Sequence, residues 1–508
     1  MKLESKTTRN IFRTLIAGLL LISMGCEKLV EVDPPKNSLT SQNVFSDDKT
    51  AIATITALYA RIASQLPNNL ENLSSISAIA GLSADEFRIL PTLTLNRQPH
   101  KLLFYYNNTL NAEVIPIWND LYRSANEVTN IIEGLNAQAV TTENPSSMLT
   151  ASVKQQLLGE AKFMRAFCYF YLVNLYGDVP LQLTTNVVEN AKRPKAPKDE
   201  VYRQIVKDLL EAKSSLSANY LSGNLSTVDT ERIRPNKSVA SALLSRVYLY
   251  MGNWSSAETE ATEVISKTEY TLVPLNDAFL KDSREAIFQL QPVALYRNTG
   301  FGRIFILTAS GPASAAANLA KIFYLNEAQV NVFAAQDPRR INWISSVTNA
   351  GKTYYFPMKY KKGLATDGTV TSTGQITEYM MILRLGEQYL IRAEARARQD
   401  KLQDAISDVN TIRTRARSGA ATTIVPNYPL TLNQQEILDA VSLERRLELF
   451  TEWGDRWLDL KRTGRVDAVM SLATPLKGGG SWSPHQALYP LFYTELRFNP
   501  NLVQNPGY

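Results

Sequence analysis

The chain has 508 residues, 44% hydrophobic and 20% charged, a globular balance that excludes wholesale disorder. Two Cys and two His leave almost no material for a His/Cys zinc site or a Ser/His triad. The net charge of +6, with no basic run gathered on one helix, is no footprint for nucleic acid.

Lys2, Lys6, Arg9 and Arg13, with Glu4 among them, precede an apolar run from Thr14 to Gly25. About a dozen apolar residues are too few to span a bilayer. The run ends Ser23-Met24-Gly25-Cys26, which resembles a bacterial lipoprotein cleavage box, although Ser23 stands where Leu is preferred. Residues 1–25 are therefore expected to be a signal peptide, with Cys26 the lipidated first residue of an exported chain. Their loss lowers the net charge to about +3. Cys168 is then alone and has no intramolecular disulfide partner. Residues 26–48, with Glu27, Glu31, Asp33, Pro34 and Pro35, show no period and are expected to form an extended tether.

Ser46-Asp47-Asp48 opens a helix with the face Ile52, Ile55, Leu58, Tyr59 and Ile62. From Pro67 to about Asn111 regularity fades, and Tyr105 and Tyr106 fall in this irregular stretch with the neighbouring pair Asp85-Glu86. A helix over 117–135 carries Trp118, Leu121, Tyr122, Ala125, Val128 and Ile132 on one face. The stretch Gly159 to Gln182, GEAKFMRAFCYFYLVNLYGDVPLQ, predicts a central buried helix, because two aromatic and apolar stripes leave only Glu160, Lys162, Arg165 and Asn174 polar. Gly177 suits its C-terminal end, and Pro180 forbids resumption while pushing Val179 extended. A further helix from Asp199 has the face Val201, Ile205, Leu209, Leu210 and Leu216.

An internal repeat follows. Aligning Gly252, Trp254 and Ala257 on Asp400, Leu402 and Ala405 preserves the offsets of two helix pairs, over 240–265 and 390–412. Small Ala residues at the crossing let such helices approach closely, in the manner of tetratricopeptide pairs. Between the copies lies a texture of short strands, such as Ala286–Leu290, turns and scattered aromatics that include Tyr296, Trp343, Tyr354 and Tyr355. Irregular segments on a rigid scaffold are where binding usually sits. The last helical block, Glu436 to Arg462, sets Glu444, Glu448 and Glu452 at four-residue steps with Arg445, Arg446, Arg456, Lys461 and Arg462 nearby, a pattern that predicts a salt-bridged helix. The tail from Pro490 is expected to lie extended.

Several of these stretches together resemble the SusD/RagB family of nutrient-binding outer-membrane lipoproteins. They are GEAKFMRAFCYFYLVNLYGDVPL, PNKSVASALLSRVYLYMGNWSSAETEA, ERRLELFTEWGDRWLDLKRTGR and LYPLFYTELRFNPNLVQNPGY, in family order behind Cys26. The resemblance implies a mainly α fold, a tetratricopeptide-like helix-pair scaffold with an irregular loop and short-strand ligand-facing subdomain. It divides the mature chain into a helical region over 49–270, an insertion over 271–380, and a C-terminal helical region with its tail over 381–508.

It also implies a surface-exposed lipoprotein of the outer membrane, held by its lipid, that captures an oligosaccharide or peptide. The ligand passes to a SusC-like TonB-dependent β-barrel transporter; no catalysis, cofactor or metal is implied. Stacking of sugar C–H faces on aromatic rings makes Tyr105, Tyr106, Tyr296 and Trp343 the expected ligand residues, because they lie outside the helical stripes. Two rival readings are a helical-repeat scaffold that binds only protein, and a secreted hydrolase using Asp85, Glu86 or the Glu444 face.

Overall fold

Helix α4 (Ala151–Tyr176) packs against the helices Asp48–Ser64, Pro116–Ala137, Lys198–Ser215 and Lys237–Met251, and from Phe163 to Tyr176 every residue is buried. The computed structural model describes residues 44–64, 73–89, 116–138, 149–293, 298–308, 323–363, 375–417, 423–478 and 480–508. Before α4 come α1 (Asp48–Ser64), α2 (Ile76–Ser83), strand β1 (Phe87–Ile89) and α3 (Pro116–Ala137). Asp47 caps α1 by accepting from the Thr50 amide, and Thr150 caps α4. Gly177 ends α4 at φ 78°, and Val179–Pro180 (β2) pairs with Lys195–Ala196 (β3), the hard stop that the sequence predicts.

Glu160, Lys162, Arg165 and Asn174 of α4 each fasten a neighbour. Arg165 makes a two-pronged contact with Asp208 on α5 (Lys198–Ser215), at 2.8 and 2.7 Å, and Lys162 meets Glu211 at 2.7 Å. Asn174 accepts from Tyr202, while fully buried Glu160 accepts from Tyr59, Gln156 and Arg234. The aromatic stripes reach the rest of the core edge to face. Phe163 meets Phe288, Phe167 meets Trp453, Phe170 meets Tyr250, and Tyr176 meets both Trp118 and Tyr489.

The repeat predicted from sequence is two helix hairpins: α6 (Lys237–Met251) with α7 (Trp254–Ile265), and α10 (Leu385–Arg398) with α11 (Leu402–Arg417). Gly252 turns the first at φ 72°, and Asp400, its aligned counterpart, adopts the same left-handed conformation at φ 62°. Alanines 257, 261 and 395 lie fully buried where α7 meets α10, so the two hairpins stack directly although 119 residues separate Ile265 from Leu385 in sequence.

Those intervening residues form strands β4 (Ala286–Leu290), β5 (Phe323–Leu325), β6 (Ile344–Asn349), β7 (Lys352–Pro357) and β8 (Met380–Arg384), with short helices α8 (Gly300–Phe305) and α9 (Pro338–Trp343). Among the described residues these strands pair as antiparallel two-stranded ladders: β1 with β5, β4 with β8, and β6 with β7. The chain ends in α12 (Gln434–Glu448), α13 (Asp455–Arg462), α14 (Val466–Lys477) and α15 (Tyr493–Phe498).

Four expectations need correction. The stretch thought irregular after Pro67 contains α2, whose eight residues are all buried; a helix covered on every side shows no apolar period. Leu210, assigned to the buried face of α5, is exposed; Tyr202, Asp208 and Ala212 complete that face instead. The block from Glu436 to Arg462 is not one helix. It breaks after Glu448 into a turn with Thr451 at φ 60°, Trp453 at 46° and Gly454 at 75°, before α13 resumes. Positive φ at a β-branched residue is costly, so tertiary contacts must hold this turn. The tail is extended except for α15.

Candidate ligand-facing region and its ionic footing

Glu444, Glu448 and Glu452 do converge, but their cations come from elsewhere in the chain. Arg339 of α9 binds Glu444 and, at 3.0 Å, Asp337; Arg413 of α11 binds the other Glu444 oxygen at 3.0 Å. Arg384, where β8 becomes α10, meets Glu285 at 2.8 Å, Glu448 at 2.7 Å and Glu452 at 2.7 Å. Arg415 also contacts Glu448, and the Lys359 ammonium reaches Glu452 and the carbonyls of Glu448 and Phe450.

Burial alone would raise the Glu448 carboxyl, but Arg415, Arg384 and Arg339 hold it well below the usual carboxylate range. Burial lowers Lys359 to about 8, against the pull of Glu452. The arginines beside these acids in sequence serve other sites. Arg445 pairs with Asp455 and Asp459, Arg446 and Arg456 with Asp85, and Arg462 with Glu394. The network thus joins α9, β4, β8 and α11 to the strained turn. It anchors the insertion to the helix pairs.

On this footing the described residues that border the remaining segments lie in pairs. Ile89 faces Phe323 across the β1–β5 ladder, so the chain stretches that continue into residues 90–115 and arrive from 309–322 meet at one end of it. Leu290 likewise faces Met380 on the β4–β8 ladder, beside the stretches adjoining 294–297 and 364–374. Asn298 accepts from the amides of Thr377 and Glu378, and the Glu378 carboxylate accepts from the amides of Lys361 and Lys362. Burial lifts that carboxyl to about 7.

Stacked rings tie these pairs together: Phe87 on Phe305 at 5.0 Å, Phe305 near Phe301 at 6.1 Å, and Phe301 on Tyr360 at 5.6 Å. Gly302 permits this closeness, because a Cβ there would lie 1.9 Å from the Lys362 carbonyl oxygen.

Of the residues expected to touch ligand, Tyr105, Tyr106 and Tyr296 lie outside the described residues, as does the expected lipidation site Cys26. Trp343 is a correction. Its side chain is 0% exposed, its indole donates to the Leu275 carbonyl at 2.9 Å, and Lys359 and Arg415 lie over its ring. A ring so enclosed offers no face to a sugar; irregular backbone did not mean an exposed side chain.

The aromatics nearer the surface in this lobe are Tyr354 and Tyr355 on β7, with Tyr324 of β5 against Tyr354 at 5.1 Å. The alternation Lys352, Tyr354, Phe356 is the sequence signal for Tyr354, since residues two apart share a strand face. Asp85 and Glu86 are no open catalytic pair. Burial raises Asp85, but Arg456 and Arg446 hold it at about 2, whereas burial pushes Glu86 to about 7 while it accepts from the Thr451 amide.

Two small pockets border Trp453, with about 20 and 30 Å³ of room for water. Among the described residues no group of three or more His, Cys, Asp or Glu is placed to hold a metal ion. No described helix is long and apolar enough to cross a membrane.

Stacked helix hairpins bearing an inserted lobe of short strands and loops define the class: a tetratricopeptide-like helical-repeat protein with a built-on loop face. Residues 339–508 match the family model described as "SusD family", and residues 31–249 match one described as "Starch-binding associating with outer membrane". The chain belongs to the SusD/RagB family. It is 28% identical to SusD-like protein P2 of Formosa agariphila over 69% of this chain and 73% of that one. To SusD-like protein P38 of the same organism it is 24% identical, covering 97% and 98%.

Solved structures share the fold at lower identity. A SusD-like protein of Bacteroides fragilis aligns with a TM-score of 0.72, at 20% identity over 94% of this chain and all of that one. A protein described as a laminarin-binding SusD-like protein aligns with a TM-score of 0.69, at 21% identity over 91% and 100%.

Proposed function

We propose that this protein is a surface lipoprotein of the outer membrane that captures oligosaccharides and passes them to a SusC-like, TonB-dependent β-barrel. The observation that carries this reading is the match of residues 31–249 to a family described as starch-binding and associated with the outer membrane. The fold shared with a laminarin-binding protein supports it. In this account the stacked helix pairs give stiffness and a barrel-facing surface, and the insertion, with the segment that carries Tyr105 and Tyr106, presents the ligand face. Cys26 carries the lipid. Tyr105, Tyr106 and Tyr296 are the proposed stacking residues of the ligand face.

The carboxylates that a hydrolase would need support binding rather than bond cleavage, since Asp85, Glu86 and Glu444 are buried and engaged by arginines or a backbone amide. The test is a tagged protein expressed in its own host. It should fractionate with the outer membrane, co-purify with a β-barrel and bind saccharides on a glycan array without degrading them. Cys26→Ala should release it from the membrane. Peptide binding with no saccharide binding would change the ligand class, and degradation lost on altering Asp85 or Glu86 would restore the hydrolase.

A further inference from the structure

The insertion carries an excess of positive charge that its ion network does not absorb. Residues 271–380 hold eleven Lys and Arg against seven Asp and Glu, a net of +4 in a chain whose total is +6. Three of those carboxylates point inward, Glu285 to Arg384, Asp337 to Arg339, and Glu378 to backbone amides. Of the other described cations of the lobe Arg284 and Lys352 are exposed and Lys281, Arg303, Arg340, Lys361 and Lys362 half-buried, beside three exposed carboxylates, Asp277, Asp282 and Glu327. An uneven surface of this kind raises the local concentration of anions.

One cluster couples that charge to aromatic rings. Arg88 of β1 and Tyr324 of β5 are direct partners in their ladder, and Lys352, Tyr354 and Phe356 share a face of β7. Tyr324 and Tyr354 meet edge to face at 5.1 Å and 87°, over a base of Ile306, Leu307 and Phe356. The exposed Lys352 ammonium sits 5.4 Å from one ring centroid and 5.2 Å from the other. Among the described residues that ammonium has no carboxylate within salt-bridge distance. Glu327, three residues after Tyr324, is the acid whose field reaches the Tyr324 phenol, where Arg88 opposes it.

A cation held over two rings keeps its charge available, because ring quadrupoles attract it without neutralising it. It also stands over the ring of half-exposed Tyr354, on which a neutral pyranose would stack, so a neutral sugar must displace what an anionic one can use. We propose that the ligand of this lobe is an acidic oligosaccharide, whose carboxylate or sulfate is recognised by Lys352 beside Tyr354, with Arg88, which donates to the Leu476 carbonyl and to Asn326, adding only its field. The inference rests on the saccharide-binding reading and adds the ligand's charge.

The test pairs charged probes with neutral counterparts on the full-length protein by calorimetry: oligogalacturonate against its carboxyl-reduced form, and sulfated against desulfated carrageenan oligosaccharide, with a poly-Glu peptide beside them. At least one charged saccharide should bind about tenfold tighter than its neutral partner, an affinity that falls as salt rises. Lys352→Gln should lose about tenfold at unchanged thermal stability, and Lys352→Arg should retain binding. Neutral forms binding as tightly as charged ones, or an unchanged affinity in Lys352→Gln, would overturn the inference and leave saccharide binding intact. Failure of every saccharide, with or without binding of poly-Glu, would overturn both.

Discussion

Helix α4 and the turn between α12 and α13 are both buried, yet opposite chemistries hold them. In α4 the work is done by aromatic area: Phe163, Phe167, Phe170 and Tyr176 each find an edge-to-face partner. Each such burial contributes about 1.5–3 kcal/mol, and each ring pair about 0.5–1.5 kcal/mol more. Around the turn, Arg384, Arg339, Arg415 and Lys359 face Glu285, Glu444, Glu448 and Glu452. Desolvation cancels much of that attraction, so the intact network adds little net stability, while losing one member strands the others. The difference separates two jobs. The apolar helix stabilises the scaffold, and the ionic turn fixes where the inserted lobe is attached.

That contrast can be broken, starting with the largest effect. Arg384→Ala leaves buried Glu285 and Glu448 and half-buried Glu452 without their shared cation, and should cost about 5 kcal/mol in urea denaturation. Phe167→Ala, which removes the ring against Tyr171 and Trp453, should cost about 3–4 kcal/mol. An Arg384→Ala loss smaller than the Phe167→Ala loss would erase the distinction.

The next effect depends on pH. Burial pushes the Glu86 carboxyl to about 7, and the Asp85 charge adds to the rise, whereas the same group ionises near 4.5 when unfolded. Between those values the folded state holds a proton that the unfolded state has released, so this group's contribution falls as pH rises to about 7 and is flat beyond. Glu86→Gln should remove that slope, a change on the order of 2 kcal/mol between pH ~5 and ~7.5, read by denaturation at the two pH values.

The smallest effect compares the hairpins. Asp400 holds at φ 62° what Gly252 holds at 72°. Asp400→Gly should therefore be neutral or stabilising by up to about 0.5 kcal/mol in thermal melts, and Gly252→Ala destabilising by about 1 kcal/mol.

What could be read from the sequence follows the same divide. The apolar period of α3, the stripes of α4 and the offsets that align Gly252 with Asp400 are local, and each foretold its element. Ion-pair partners are not local. Glu448 meets Arg384 across 64 positions and Asp85 meets Arg456 across 371, so the charges adjacent to Glu444 in sequence suggested the wrong arginines. The break after Glu448 was hidden because Leu449, Phe450, Trp453 and Trp457 continue a helix-like apolar pattern through a turn that only tertiary contacts hold open. Trp343 was misplaced for a related reason: its cover is Phe279, Lys359 and Arg415, from three separate stretches.

Saccharide capture by the insertion, with the helix pairs as support, is the central claim, and a glycan array probed with wild-type protein and with Lys352→Gln tests it most directly. The account predicts saturable binding to a saccharide by the wild type, weakened in the variant while both proteins melt at the same temperature. A folded wild-type protein that binds no saccharide while still co-purifying with its barrel would contradict it.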